Sequence, residues 1–317
     1  MNKQRLLIVS ALALLVGALA SVVPLLMATP ALAAHSFSAW GPAVSLESVP
    51  GANSELNTPS LDGCPILSRD GLQLYIASNR PGGLGGLDIW VAERASPDGP
   101  LGAPVNVGAP INSEYNDFCP SPLRDGQGFI FVSNRPGGCG GADIYLTRRH
   151  PVDGWEEPVN LGCEVNSGAD EAGPVLSFAE PGPPTLYFSS TRVGGPGGSN
   201  LYMSRMAGAW SFDPAELVPG VNSDYDDMQP SVSRDGRELV FASNRPGPGS
   251  QGGFDIWSAS RDSIAGDWSA PVNLGPNVNS TANEIRAALS WKGTTLVFSS
   301  TRPGGEGMLD IYYATRD

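Results

Sequence analysis

The stretch YIASNRPGGLGGLDIWVAER, Tyr75 to Arg94, decides the fold because it returns four more times. It reappears as FVSNRPGGCGGADIYLTRR from Phe131, FSSTRVGGPGGSNLYMSR from Phe188, FASNRPGPGSQGGFDIWSASR from Phe241 and FSSTRPGGEGMLDIYYATR from Phe298. The shared arginines, Arg80, Arg135, Arg192, Arg245 and Arg302, are 55, 57, 53 and 57 residues apart. A period of that length signals stacked units or propeller blades. Each unit carries four short strand signals. A first strand leads through a turn such as Arg69-Asp70-Gly71 to a second, and Asp-Gly between apolar runs is a hairpin signal. The Gly-rich loop then leads to a third strand, and a Val-Asn strand follows. Asn-Ser pairs at Asn53, Asn112, Asn166, Asn222 and Asn279 close the units.

The ends of the chain select a ring. The last unit stops at Asp317 after its third strand, while Trp40–Leu46 and Asn53-Ser54 read as a fourth strand with no preceding three. The first segment supplies what the last lacks, which leaves no open edge between first and last units. The sequence therefore predicts an all-β, five-bladed β-propeller of four-stranded blades. The N-terminal strand, 34–57, completes the last blade, and the units span about 58–113, 114–167, 168–223, 224–280 and 281–317. Most of the 40 glycines and 29 prolines among 317 residues fall at fixed offsets in this period, as loops and turns of blades.

Ahead of the repeats, Lys3 and Arg5 precede an apolar run from Leu6 to Ala28 and the small-residue site Ala31-Leu32-Ala33. That is the layout of a secretory signal peptide over 1–33, although the run is long enough to span a bilayer as a retained anchor. Cleavage implies a periplasmic, extracellular or cell-surface protein with no remaining membrane span, expected to be a monomer. The whole chain has a net charge of −13. This argues against nucleic acid and anionic membranes as partners and permits cations, basic peptides or neutral ligands. Cys64, Cys119, Cys139 and Cys163 allow three disulfide connectivities. Cys64 with Cys119 is favoured because both hold the same position in adjacent inner strands, and Cys139 with Cys163 follows.

The S-x-D-G turns and the S-N-R-P-G-G-x-G-G-x-D-I-[WY] core resemble the WD40-like β-propeller repeat of TolB-type exported bacterial proteins. Unit three departs from it at Thr191 and Asn200, and unit five at Thr301. The resemblance implies a propeller whose members bind proteins or sugars, or accompany peptidases. TolB carries an additional N-terminal domain, for which this chain has no room.

Each connection places an acid three residues before the first residue of the inner-strand motif: Asp62, Asp117, Glu171, Asp227 and Glu284. These predict a carboxylate ring at one mouth of the channel, holding Ca²⁺ or a cationic group. The alternative is that each acid serves its own unit, by bonding a neighbouring blade or a repeat arginine. The arginines are expected to pair across the Gly-rich hairpin, as Arg80–Asp88, Arg135–Asp143, Arg245–Asp255 and Arg302–Asp310. Asn200 leaves Arg192 freer for a ligand or for Glu171. Trp291 occupies a turn position that is Arg in three units and Phe178 in another, where it could stack on a sugar. No G-x-S-x-G or H-E-x-x-H motif is present. These features predict an exported, non-enzymatic module binding a protein, peptide or glycan on the loop-rich acidic face. Two alternatives stand beside it, a five-bladed glycoside hydrolase using channel carboxylates and a structural envelope component.

Overall fold

The computed structural model describes residues 38–152 and 154–317. The signal-peptide reading lies outside the described residues. The strands form five antiparallel sheets, each following the chain outward from an inner strand. The inner strands are Asp62–Leu67, Asp117–Pro122, Glu171–Ser177, Asp227–Val232 and Glu284–Leu289. Their second strands are Gln73–Ser78, Gly128–Ser133, Thr185–Ser190, Glu238–Ser243 and Thr295–Ser300. The third strands begin at Asp88, Asp143, Asn200, Asp255 and Asp310. Four outer strands are two-residue pieces at Val105–Asn106, Val159–Asn160, Glu216–Leu217 and Val272–Asn273. The fifth is Val44–Ser45, which pairs with Tyr313 and Tyr312 of the last third strand. The chain closes on itself as the unmatched N-terminal strand predicts.

The second strands are buried along nearly their whole length, between neighbouring blades. Phe131, Phe188, Phe241 and Phe298 are fully buried at equivalent positions, and Ile76 takes that place in the first blade. Burying each stabilises the fold by about 1.5–3 kcal/mol.

Asparagines stitch one blade to the next. Asn112 accepts a bond from the Ile89 N–H at 2.8 Å and donates one to the Ile89 carbonyl at 2.8 Å. Asn166 and Asn279 repeat this on Ile144 and Ile256. In the closing blade Asn57 holds Ile311 in the same way. Asn53, the expected residue, instead accepts from Glu55 N–H within its own turn. The distance to the next acid explains the correction, since Asn57 precedes Asp62 by the same five residues that separate Asn112 from Asp117.

Candidate functional site

The five inner-strand acids begin their strands, as expected, but they do not form an open ring. Their side chains are fully buried, and each meets the arginine of its own unit. Arg80 lies 2.6 Å from Asp62, Arg135 2.7 Å from Asp117, Arg192 3.0 Å from Glu171 and Arg302 3.1 Å from Glu284, with Arg245 on Asp227 likewise. Each acid also accepts a backbone N–H and a hydroxyl from the connection before it: Thr58, Ser113, Ser167, Ser223 and Ser280. The alternative of pairing with a repeat arginine holds at all five. Arg192, with Asn200 across the hairpin, takes Glu171 like its counterparts.

The cross-hairpin pairs are therefore corrected. Asp88 accepts from Leu84 N–H and from Asn106 Nδ2, and Asp143 from Cys139 N–H and Asn160 Nδ2. Asp255 repeats the pattern, and Asp310 accepts from the Glu306 and Gly307 N–H groups. A wide Gly-rich loop turns several N–H donors inward, so the aspartate at its base folds the loop instead of reaching the arginine. Among the described residues no group of acids, histidines and cysteines is arranged to hold a metal ion.

The channel lining differs from blade to blade where the acids do not. The third residue of each inner strand is Cys64, Cys119, Gly173, Gln229 or Arg286, and all five have φ between 48° and 58°. The ladder slips in register at this point in every blade. Such a bulge redirects the side chain, and a left-handed non-glycine residue costs about 1–3 kcal/mol. These residues and those after them, proline in four blades and Ala287 in the fifth, line a cavity of about 40 Å³. Cys64 and Cys119 are joined across it by a disulfide, and Cys139 is joined to Cys163. Arg286 Nη1 donates to Cys64 Sγ at 3.2 Å, and burial pushes the guanidinium down to about 10, still charged at neutral pH.

Below this level the channel opens into a cavity of about 100 Å³ among the first turns. Arg69, Arg124 and Arg234 lie over Trp291 with guanidinium carbons 4.7, 5.7 and 4.9 Å from a ring centroid. All three arginines are exposed, and among the described residues none has an ion pair or a side-chain hydrogen bond. Their aspartate neighbours are engaged elsewhere. Asp70 accepts from Ser68 Oγ and Leu72 N–H, Asp125 from Arg148, and Asp235 from Arg237. Hydrogen bonds hold Asp70 below the usual carboxylate range, led by that from Ser68. No carboxylate lines either channel cavity. In a strongly acidic protein the channel and its lower mouth are basic, and the acids expected at the opposite, loop-rich mouth are buried in ion pairs.

Glycosidases dominate the solved structures of similar fold. An α-L-arabinofuranosidase from Lactobacillus brevis superposes with a TM-score of 0.57 at 15% identity, covering 84% of this chain and 93% of that one. An endo-arabinanase from Bacillus licheniformis gives 0.54 at 12%, covering 83% and 94%. A putative TolB from Agrobacterium tumefaciens gives 0.50 at 17%, covering 89% and 91%. No protein-family model matches the chain, and no curated protein matches it. At these identities the likeness establishes the five-bladed fold. The glycosidases on this frame also overturn the expectation of a non-enzymatic binding module, which rested on missing serine-hydrolase and metalloprotease motifs and on channel acids that are all equivalent in the repeat. Those motifs belong to other folds, and glycosidases use this frame without them.

Among the described residues no helix is long and apolar enough to cross a membrane.

Proposed function

We propose that this chain is an exported, carbohydrate-active propeller that acts on acidic oligosaccharides, with its substrate seated at the lower channel mouth. The observation that carries this reading is the convergence of Arg69, Arg124 and Arg234 on Trp291. Three exposed guanidinium groups without counter-ions suit the carboxylates of a uronate-containing chain, which arginine binds in a bidentate fork. Trp291 acts as the platform that gathers them. An arabinofuranosidase and an endo-arabinanase on the same frame support a carbohydrate substrate, and the two disulfides accord with export. The S-N-R-P-G-G repeat and the TolB likeness support a place among WD40-like propellers.

Hydrolysis on this frame needs exposed carboxylates outside the repeat knots, because the five inner-strand acids are fully buried in their ion pairs. Asp70 and Asp125 meet that need. They line a groove of about 380 Å³ that shares Arg69 and Arg124 with the mouth. Both carboxyls are held below the usual range, the ionised state required of the base or nucleophile, and the proton for the leaving oxygen must come from a protonated group outside this pair. The test is release of reducing ends from uronate-containing and neutral oligosaccharides. Turnover of the acidic substrates, abolished in Asp70→Asn or Asp125→Asn with binding retained, is the expected result. Turnover confined to neutral arabinan or xylan, or no turnover and no binding of any acidic chain, overturns the reading.

A further inference from the structure

An aromatic ring that recurs beside the outer strands is missing from the first blade. In the outer strands, Asn106, Asn160, Leu217, Asn273 and Ser45 hold equivalent pairings to the third strands. Five residues before them stand Leu101, Trp155, Phe212, Trp268 and Trp40, so four of the five are aromatic. Trp268 is buried with Tyr187 and Met203 of the blade before it. Its ring lies under an arginine at the end of the third strand, with the Arg261 guanidinium carbon 4.2 Å from a ring centroid, and Arg316 stands 4.2 Å from Trp40. A turn carbonyl fixes each guanidinium: Gly236 accepts from Arg261 Nε at 2.7 Å and Gly293 from Arg316 Nε at 2.8 Å. Arg94 in the first blade is held in the same way by the Gly71 carbonyl at 2.6 Å. Leu101 replaces the tryptophan there, and among the described residues no ring lies against Arg94. Arg261 and Arg316 also reach the preceding blade, at the Tyr187 hydroxyl and the Glu238 carboxylate. Thr295 stands where Glu238 does, at the start of its second strand, and Arg94 makes no such bond.

The seam between the fifth and first blades holds a cleft of about 230 Å³ beside Leu101 and Arg94. The half-buried Val49, Leu67 and Tyr313 form its walls, and the exposed Pro97 and Asp98 its rim. A second departure from the repeat meets it here. Asn57 follows Ser45 by 12 residues, whereas Asn112 follows Asn106 by 6, and the extra chain supplies Val49.

We propose that this cleft binds a small, neutral aromatic molecule whose ring takes the place of the missing indole beneath Arg94. A guanidinium over a ring face is attracted to it. Because the Gly71 carbonyl already fixes Arg94, little ordering cost remains for binding. Leu67 and Tyr313 supply apolar contact to the ring edges. The volume lies below the roughly 300 Å³ at which drug-sized pockets begin, so the ligand carries one ring or two fused rings. Asp98 at the rim repels a carboxylate and accepts a bond from a phenol O–H or an indole N–H. Phenol and indole therefore fit where benzoate does not. The cleft shares no arginine and no carboxylate with the proposed glycan site.

Thermal melts without any glycan test this, so their outcome is independent of the proposed activity. Indole or phenol at about ten times its Kd should raise Tm by about 2–4 °C in a saturable manner. Cyclohexanol has similar size but no ring face and should raise it clearly less, and benzoate should leave it unchanged. Leu101→Trp restores the repeat residue, fills the cleft and should abolish the response to indole. No rise with indole or phenol, an equal rise with cyclohexanol, or an equal response in wild type and Leu101→Trp overturns the proposal. If that variant does not fold, wild-type crystals soaked in para-bromophenol decide. An anomalous peak beneath the Arg94 guanidinium supports the site, and peaks elsewhere alone, or none, overturn it.

Discussion

Arg135 Nη2 lies 2.7 Å from Asp117 Oδ1, at the start of an inner strand where the carboxylate is wholly buried. Arg135 also donates to the carbonyls of Ile111 and Pro110, so one guanidinium ties the connection, the inner strand and the second strand together. Removing the charge of Asp117 leaves that guanidinium without its counter-ion. We expect Asp117→Asn to lower stability by about 3–5 kcal/mol while acidic-glycan binding stays unchanged. Urea unfolding followed by calorimetric titration of ligand checks both halves. Lost binding in a variant of unaltered stability would return the acids to the ligand site.

The half-buried Trp291 and its three arginines make a different prediction, because the arginines are exposed and bond nothing else. Arg69→Ala, Arg124→Ala or Arg234→Ala should each weaken binding of acidic oligosaccharides by about tenfold or more, since one charge-assisted bond contributes about 1.5–3 kcal/mol. Stability should hardly change. Trp291→Ala should lose affinity as well, by releasing the guanidinium groups from their common platform. Because the charges face solvent, affinity should fall as salt rises. Titration at two ionic strengths measures this, and salt-independent binding would contradict a charge-based mouth.

The fold was legible because a period near 55 and an unmatched terminal strand are properties of the letters themselves. The disulfide Cys64–Cys119 was legible for the same reason, as two equivalent positions in adjacent units. The partner of each arginine was not. Asp88 and Asp62 lie on either side of Arg80 in sequence, and only the inward-turned N–H groups of the Gly-rich loop decide which carboxylate remains for the guanidinium. The channel lining was hidden more deeply. A left-handed residue at the third inner-strand position follows from a bulge, and only Gly173 hints at it in the sequence. Arg286 and Gln229 therefore read as ordinary strand residues until the bulge turns them inward. Trp291 stood out as a departure at its turn, but its gathering of three arginines depends on how the blades converge.

The closing blade gives a pH prediction. Its outer strand has Ser45 where Asn106 stands in the first blade, so Asp310 lacks the amide donor that Asp88 receives. Burial raises the Asp310 carboxyl above its usual range, and Asp62 and Glu306 add to this. Burial also raises Glu47, followed by repulsion from Glu306, Asp310 and Asp62 against the bond from Asn57. A carboxyl raised in the folded state binds its proton more tightly there than in the unfolded chain. Its contribution favours folding at low pH and is lost as pH rises from the ordinary carboxylate value through the raised one. Glu47→Gln should therefore stabilise the protein at neutral pH and flatten the decline in stability just above pH 4.5. Unfolding free energies measured between pH 4 and 7 check the sign, and a destabilised Glu47→Gln at pH 7 contradicts it.

The two disulfides should differ in what their removal costs. Cys139 and Cys163 are 24 residues apart within one blade, whereas Cys64 and Cys119 are 55 apart and join two inner strands. Loop-closure entropy assigns about 3.5 kcal/mol to the shorter link and about 4 kcal/mol to the longer. On that ground alone the costs of the paired serine variants are nearly equal. The longer link has a second role, since Cys64 Sγ accepts from Arg286 Nη1 and walls the channel beside it. Replacing Cys64 and Cys119 should therefore cost more than the entropy difference, and the excess should depend on Arg286. A double-mutant cycle between Cys64→Ser/Cys119→Ser and Arg286→Met isolates that coupling. Removal of Cys139 and Cys163 should be additive with Arg286→Met. Equal additivity for both disulfides would show that Arg286 draws no support from the channel-wall sulfur.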